Sequence, residues 1–328
     1  MITAIFDGNY LLHRCMRAGD LAKLHNRHGK PTGGVMGFLK STQKTLRDYS
    51  ITRCVTVFDG GISSRRRALY PGYKGAKYRS PDDPMFQENE DPERALYHEE
   101  FEQQRRYLQL LLKLLGIYVI RFHDWEADDL CYRIAEHYNK DMGIVYLVSD
   151  DQDFFQVVHE WRPPSEQRGS LRVYRPIADE LITESNFAAI TGHTHAQHLL
   201  YRAIVGDGSD KIRGVEGVGG GWMRKIFVEY KGDTTHPFED FFLFCMEHRT
   251  KTVRKISEQL DIVLRNYELM NLELEPYSAE IEKQVLDLLS VSLEVKLGEV
   301  RRFFVQLELA SIVDQLAQWV IPFQRLTK

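Results

Sequence analysis

Residues 144–153 read Ile144-Val145-Tyr146-Leu147-Val148-Ser149-Asp150-Asp151-Gln152-Asp153. Five consecutive apolar or aromatic residues, closed by a hydroxyl and three carboxylates, describe a strand buried on both faces that runs out into a polar loop. A strand loses its apolar/polar alternation when both faces are covered, which is the situation in a parallel sheet clad by helices. The pattern recurs at residues 2–6, 54–58 and 117–120, and segments 35–49, 93–115 (closed by Gly116) and 127–138 between them have helical periodicity. The fold class is therefore α/β, a parallel sheet with helices on both faces. Residues 171–174 add a further strand after the polar loop 162–170. Beyond Phe187 the pattern is helical nearly to the end, with apolar residues three and four apart over 253–272, 281–289 and 300–312. The chain thus divides into a sheet-bearing part, residues 1–185, and a helical part, residues 186–328.

At 328 residues, 43% apolar and 27% charged, the composition is that of an ordinary globular protein. Nothing approaches the roughly 18 consecutive apolar residues of a membrane span, and the N-terminus lacks the order of a secretory signal. A cytoplasmic location follows as the expectation. Cys15, Cys54, Cys131 and Cys245 are far apart and form no C-x-x-C pair, so they read as reduced, buried thiols. The net charge of -4 conceals an asymmetry: residues 10–80 carry 15 Lys/Arg against three acids, which leaves the remainder near -16. A basic face of this kind suits a polyanionic partner. Residues 60–80 are purely basic in their charges (Arg65, Arg66, Arg67, Lys74, Lys77, Arg79), whereas 82–102 hold nine acids and only Arg94. Too polar to demand burial, this stretch reads as an exposed excursion between strands, able to serve as a lid.

Carboxylates follow the strands. Asp7 ends the first, Asp59 the second, Glu126-Ala127-Asp128-Asp129 opens the helix after the third, and Asp151 and Asp153 follow the fourth. Singly, an aspartate after a strand is a turn former or a helix cap, and Asp150 keeps that role. Collectively they lie on one edge, because the carboxyl ends of parallel strands face the same way and ligands bind there near the topological switch point. Like charges so close repel unless neutralised, and an all-oxygen donor set favours Mg²⁺ or Mn²⁺ over zinc. Two such ions roughly 4 Å apart suit phosphodiester hydrolysis.

The ordered set D-G-N at Asp7, F-D at Asp59, Y-K-G at Tyr73, E-A-D-D at Glu126, S-D-D-Q-D at Ser149 and G-D-G-S-D-K-I-R-G-V-E-G-V-G from Gly206 to Gly219 resembles the 5′-nuclease superfamily over roughly residues 1–230. This superfamily comprises flap endonucleases and 5′→3′ exonucleases; in length and layout the chain is most similar to its stand-alone bacteriophage members, called ribonuclease H or 5′-exonuclease. The resemblance implies a PIN-like parallel-sheet core, a helical arch at about 60–105, a DNA-binding helix-three-turn-helix element at about 196–230, and a helical C-terminal region. It implies two Mg²⁺ ions, with Mn²⁺ able to substitute, held by Asp7, Asp59, Glu126, Asp128, Asp129, Asp151, Asp153, Asp207 and Asp210. Asp7, Asp59 and Asp151 are expected to be essential to cleavage. Arg66 and Lys74 match basic residues that contact the scissile phosphate, where a cation steadies developing charge. Lys77 and Arg79 are expected to bind the flap. Gly217, Gly219 and Gly221 match the DNA-binding hairpin, where backbone N–H groups can approach a phosphate. Gly220-Gly221 stand where the family often has Pro-Lys, which leaves Arg224 and Lys225 to supply charge. A K⁺ ion at this hairpin is a further implication.

The expected activity is structure-selective hydrolysis at 5′ ends, flaps or RNA primers of DNA during replication, by a free-standing monomer. The partners would be branched, nicked or RNA-primed DNA, with no membrane and with a replication protein unidentified. An inactive branched-DNA-binding relative is the alternative. An aspartyl-phosphate phosphatase is disfavoured because Asp7-Gly8-Asn9 lacks the second aspartate of D-x-D. His193, His195 and His198 invite a zinc reading but lack a fourth ligand, and Gly33-Gly34 opens no nucleotide-binding loop. Phe38 and Leu39 read as core.

Overall fold

A computed structural model describes residues 1–75, 92–140, 142–160, 169–230, 237–248 and 250–326. Strand β1 (Ile2–Asp7) leads into α1 (Gly8–Met16), α2 (Gly33–Asp48) and β2 (Arg53–Val57). Then come α3 (Ser64–Leu69), α4 (Pro92–Leu114), β3 (Tyr118–Ile120), α5 (Ala127–Lys140), β4 (Ile144–Val148) and β5 (Ser170–Arg175). The six-stranded sheet has the order β3-β2-β1-β4-β5-β6, where β6 (Glu180–Ile182) is antiparallel and every other pairing is parallel. This short edge strand was not expected: only Leu181 and Ile182 are apolar, between Glu180 and Thr183, too short a run to be read. The chain leaves β1 toward β2 and later returns to its other side as β4, so the switch point lies between the carboxyl ends of β1 and β4.

Both faces of the sheet are buried, as the unbroken apolar runs require. In β1, Ala4 and Phe6 point to one core with α1, α2 and α4, while Ile5 points to the other with α5. Phe38 and Leu39 lie fully inside the first core, and all four cysteines are free and buried.

The remainder is helical. It comprises α6 (Phe187–Thr191), α7 (His195–Val205), a two-stranded turn of β7 (Gly206–Asp207) and β8 (Ile212–Arg213), and α8 (Gly220–Glu229). Next are α9 (Pro237–Glu247), α10 (Lys251–Glu258), α11 (Leu260–Met270), α12 (Ala279–Ser290) and α13 (Leu297–Gln306). Periodicity over 253–272 suggested one helix, but Gln259 leaves helical geometry (φ -122°, ψ 35°) and splits it into α10 and α11. Residues of α7 to α11 share their own core. The chain then returns to the sheet: Leu272, Val285 and Leu289 join the α5 side, and Val300, Phe304 and Phe323 join the α1/α2 side. The sheet's cores therefore draw on residues from both sides of the 185/186 boundary. Among the described residues no helix is long and apolar enough to cross a membrane.

Candidate metal centre

The strand ends carry the site because each acid there also satisfies local backbone. Asp7 closes β1 and caps α1, accepting from Tyr10 N (3.0 Å) and from Ser149 Oγ (3.2 Å). Asp59 lies past β2 and accepts from Ala127 N at the start of α5 (2.7 Å) and from Asn9 Nδ2 (2.8 Å). Asp151 caps the single-turn stretch after β4 by accepting from Asp153 N (2.9 Å), and its own N–H donates to Ser149 Oγ (3.1 Å). Ser149 thus ties Asp7 to the Asp151 turn across the switch point. All of these donors are neutral, and among the described residues no cation lies within ion-pair distance of Asp7, Asp59 or Asp151.

The titration behaviour reflects that surplus of negative charge. Burial, with Asp59 nearby, pushes the Asp7 carboxyl up to about 7. Burial also raises Asp59, and burial together with Asp153 lifts Asp151 well above the usual carboxylate range. Asp128 is pushed up to about 6 by burial against the pull of Arg66, and Asp210 to about 7 by burial against Lys74.

Other carboxylates of the same cluster have cations as partners, although burial, with Asp128 nearby, still lifts Asp129 well above the usual carboxylate range against the pull of Arg66. Arg66, only 1% exposed, grips both oxygens of Asp129 (2.7 Å each) and lies 3.3 Å from Glu126 Oε2. Glu126 Oε2 accepts from Lys74 Nζ at 2.6 Å and from Tyr73 Oη at 2.9 Å, while Oε1 accepts from Ser63 N at 2.8 Å. Burial alone would raise Glu126, but Lys74 and Arg66 outweigh it and hold the group at about 2. Arg202 bridges Asp153 and Asp207 through one guanidinium nitrogen. Lys74 has a left-handed backbone (φ +54°), and its N–H is held by Asp210 O (2.9 Å). That conformation is costly for a side-chain-bearing residue and is kept only where the surroundings enforce it.

The donor set fits hard divalent cations. One oxygen from each of Glu126, Asp128 and Asp129 lies within 4.8 Å of the others. The ion pairs to the nine expected carboxylates come, among the described residues, from Arg66, Lys74 and Arg202 alone. A buried, all-oxygen cluster with more negative than positive charge is what Mg²⁺ or Mn²⁺ neutralises. Arg66 and Asp129 engage each other: Arg66 is buried, and its two terminal nitrogens donate to the two oxygens of Asp129. The buried two-pronged pair is satisfied internally. Lys77 and Arg79 lie outside the described residues.

Arg202 and Ser63 were not read from the sequence, since a helix-borne arginine and a lone hydroxyl carry no spacing signal, and Ser149 and Asn9, quoted in S-D-D-Q-D and D-G-N, were given no role there. Tyr73, quoted in Y-K-G, could have been found from its position beside Lys74. The histidine group is no metal site: His193 and His198 stack and share a hydrogen bond (3.0 Å), while His195 and His198 bond the carbonyls of Gln156 and Gln152. Asp150 faces away from the cluster toward Arg175 (3.4 Å).

At the hairpin between α7 and α8, Gly217 has φ +73°. A Cβ at Gly219 or Gly221 would meet nothing within 4 Å, so neither the backbone nor the packing requires glycine there. Arg224 and Lys225 are exposed on α8, with Lys225 Nζ 4.8 Å from the centre of the Trp222 ring.

Residues 3–175 match the family described as 5′-3′ exonuclease, N-terminal resolvase-like domain. The chain belongs to that family. It is 26% identical over 293 residues to a 5′-3′ exonuclease of Aquifex aeolicus, covering 88% of this chain and 90% of that protein. It is 28% identical over 226 residues to the thermostable DNA polymerase I of Thermus aquaticus, covering 69% of this chain. The chain spans only about a quarter of the length of that polymerase. Among solved structures it resembles a bacteriophage T5 flap endonuclease in a pseudo-enzyme-product complex with DNA and metal ions. The TM-score is 0.66 at 20% identity, with 88% of this chain and 98% of that one covered, a likeness of fold. The family and these neighbours agree with the parallel-sheet nuclease architecture expected from the motifs.

Proposed function

We propose that this family member is a structure-selective 5′-nuclease that hydrolyses phosphodiester bonds at 5′ ends, flaps or RNA primers of DNA during replication. The observation that carries this reading is the surplus of buried carboxylates at the switch point of the sheet, beside a basic segment anchored at Arg66 and Lys74. Asp7, Asp59, Glu126, Asp128, Asp151, Asp153, Asp207 and Asp210 would hold two Mg²⁺ ions, with Mn²⁺ as a substitute. Bound there, the ions would supply Lewis-acid stabilisation of the phosphoryl oxygens and lower the pKa of an attacking water. Lys74, held in a strained conformation at the rim, supplies a positive charge opposite the acids and keeps Glu126 ionised. Arg66 and Asp129 neutralise each other and set the floor of the site.

Gly217, Gly219 and Gly221 present a backbone that a duplex phosphate can approach closely, with Arg224 and Lys225 adding charge; a K⁺ ion at this turn belongs to the same proposal. The arch at about 60–105, with Lys77 and Arg79, would receive the single-stranded 5′ end, so selection is by shape. The division into a nuclease core (1–185) and a DNA-binding helical region (186–328), and a monomeric state, complete the reading. An inactive DNA-binding relative is not favoured, because the chain carries each carboxylate that the resemblance implies. Titration of Mg²⁺ against 5′-labelled flap, nicked and RNA-primed substrates tests the proposal: metal-dependent release of 5′ fragments supports it, and no cleavage of any of the three at any Mg²⁺ or Mn²⁺ concentration refutes it.

A further inference from the structure

The segment after α11 grips the start of α3 through contacts that lie outside the carboxylate cluster, and Glu275 is at their centre. Glu275 is 8% exposed. Its two oxygens accept from Ser63 Oγ (2.8 and 2.9 Å), and Oε2 also accepts from Arg65 Nε (2.9 Å). The last turn of α11 offers Glu268 O to both terminal nitrogens of Arg65 (3.0 Å each) and Leu269 O to Arg66 Nε (2.8 Å). From the other side, Arg133 of α5 donates to Glu273 O and Glu275 O (2.8 Å each). The clamp is therefore fastened to the helix that carries Asp128 and Asp129.

Ser63 is where this clamp meets the site. Its Oγ accepts from Arg66 N (3.1 Å), which caps α3, and its own N–H donates to Glu126 Oε1 (2.8 Å). Capping a helix needs only the serine hydroxyl. A buried carboxylate behind that hydroxyl is expensive to desolvate and adds little to stability alone, so its value lies in fixing direction.

We propose that Glu275 is a positioning residue of the metal centre, holding Ser63 so that its N–H aims at Glu126 and so that α3 delivers Tyr73 and Lys74 to the other oxygen of Glu126. The inference rests on the reading of the carboxylate cluster as a divalent-metal nuclease site.

The test compares Glu275→Gln, Ser63→Ala and the double variant in the full chain. Glu275→Gln should lower single-turnover cleavage of a labelled flap about tenfold, because the geometry of the site is loosened while its groups remain. The half-saturating Mg²⁺ concentration should rise several-fold, and calorimetric titration of Mg²⁺ without DNA should weaken in parallel. Duplex affinity measured in Ca²⁺ should stay within about twofold. Acting through one serine, the two changes should be non-additive, leaving the double variant no worse than the poorer single one. Wild-type Mg²⁺ dependence in Glu275→Gln, or effects that multiply in the double variant, would overturn the proposal. Should Glu275→Gln fail to fold, Glu275→Asp and Ser63→Ala are read instead, and a lowered melting temperature with unchanged Mg²⁺ titration overturns it equally. Wild-type protein that neither binds Mg²⁺ nor cleaves removes the metal-centre reading itself, whereas wild-type activity with indifferent variants removes only the role of Glu275.

Discussion

Asp129 and Asp151 are both buried or half-buried aspartates at the carboxyl edge of one sheet, yet their surroundings differ completely. Asp129 sits in a two-pronged pair with Arg66, and Glu126 beside it is held by Lys74. Among the described residues Asp151, like Asp7 and Asp59, accepts only from neutral N–H or O–H groups. One flank of the cluster is finished by the protein and the other is left with negative charge to be balanced from outside. The difference separates residues that build the floor of the site from residues that await a cation, although all are acids after strands.

The sharpest way to break this comparison is to neutralise one residue on each flank. Asp151→Asn or Asp7→Asn should lower flap cleavage on the order of 10³-fold, with folding and DNA binding largely kept, because charge stabilisation at the reacting phosphate is lost. Single-turnover assays beside a gel-shift titration measure both; Mg²⁺-dependent turnover retained in both variants would erase the distinction. On the other flank, Asp129→Asn removes the two-pronged partner of Arg66 and leaves it Glu126 and Asp128; it should destabilise the fold by about 1–3 kcal/mol, read from urea unfolding without metal. A stable Asp129→Asn protein would mean that the pair is no floor.

A pH series sharpens the same contrast. Asp7 and Asp210 titrate near 7 in the folded chain against 3.8 ordinarily, so between those values the folded state binds more protons than the unfolded one. As far as these groups are concerned, metal-free stability should therefore be greatest below about pH 3.8, decline as pH rises from there, and level off above about 7. Saturating Mg²⁺ should cancel that decline, which thermal melts across the range with and without the ion would reveal. A metal-free melting temperature that does not fall over this interval would contradict the surplus of charge. The smallest effect is expected at the hairpin. Gly217→Ala should cost about 1 kcal/mol of stability through its left-handed backbone, whereas Gly219→Ala should leave stability unchanged and weaken duplex affinity only.

Much of the fold was legible because its signals are local. The run 144–148 coincides with β4 from end to end, and the strands at 2–6 and 54–58 differ from β1 and β2 by a residue. The edge strand β6 was missed because its apolar run is two residues, Leu181 and Ile182, and the break at Gln259 because apolar spacing continued across it. Within the site, Asp7, Asp59 and Asp151 were legible as acids closing strands, whereas Arg202 and Ser63 were not. Arg202 finds Asp153 from 49 positions away and Ser63 finds Glu275 from 212, and no spacing rule spans such gaps.

The amino-acid order alone determined that the strands are buried on both faces, that they run parallel, and that their terminal carboxylates share an edge. These follow from burial pattern and chain direction, which each segment carries within itself. Only the tertiary structure decided which carboxylates are paired and which are left unbalanced. Arg66, Lys74 and Arg202 reach their partners across packed elements, and a charge interaction in a buried place depends on distance in space rather than along the chain.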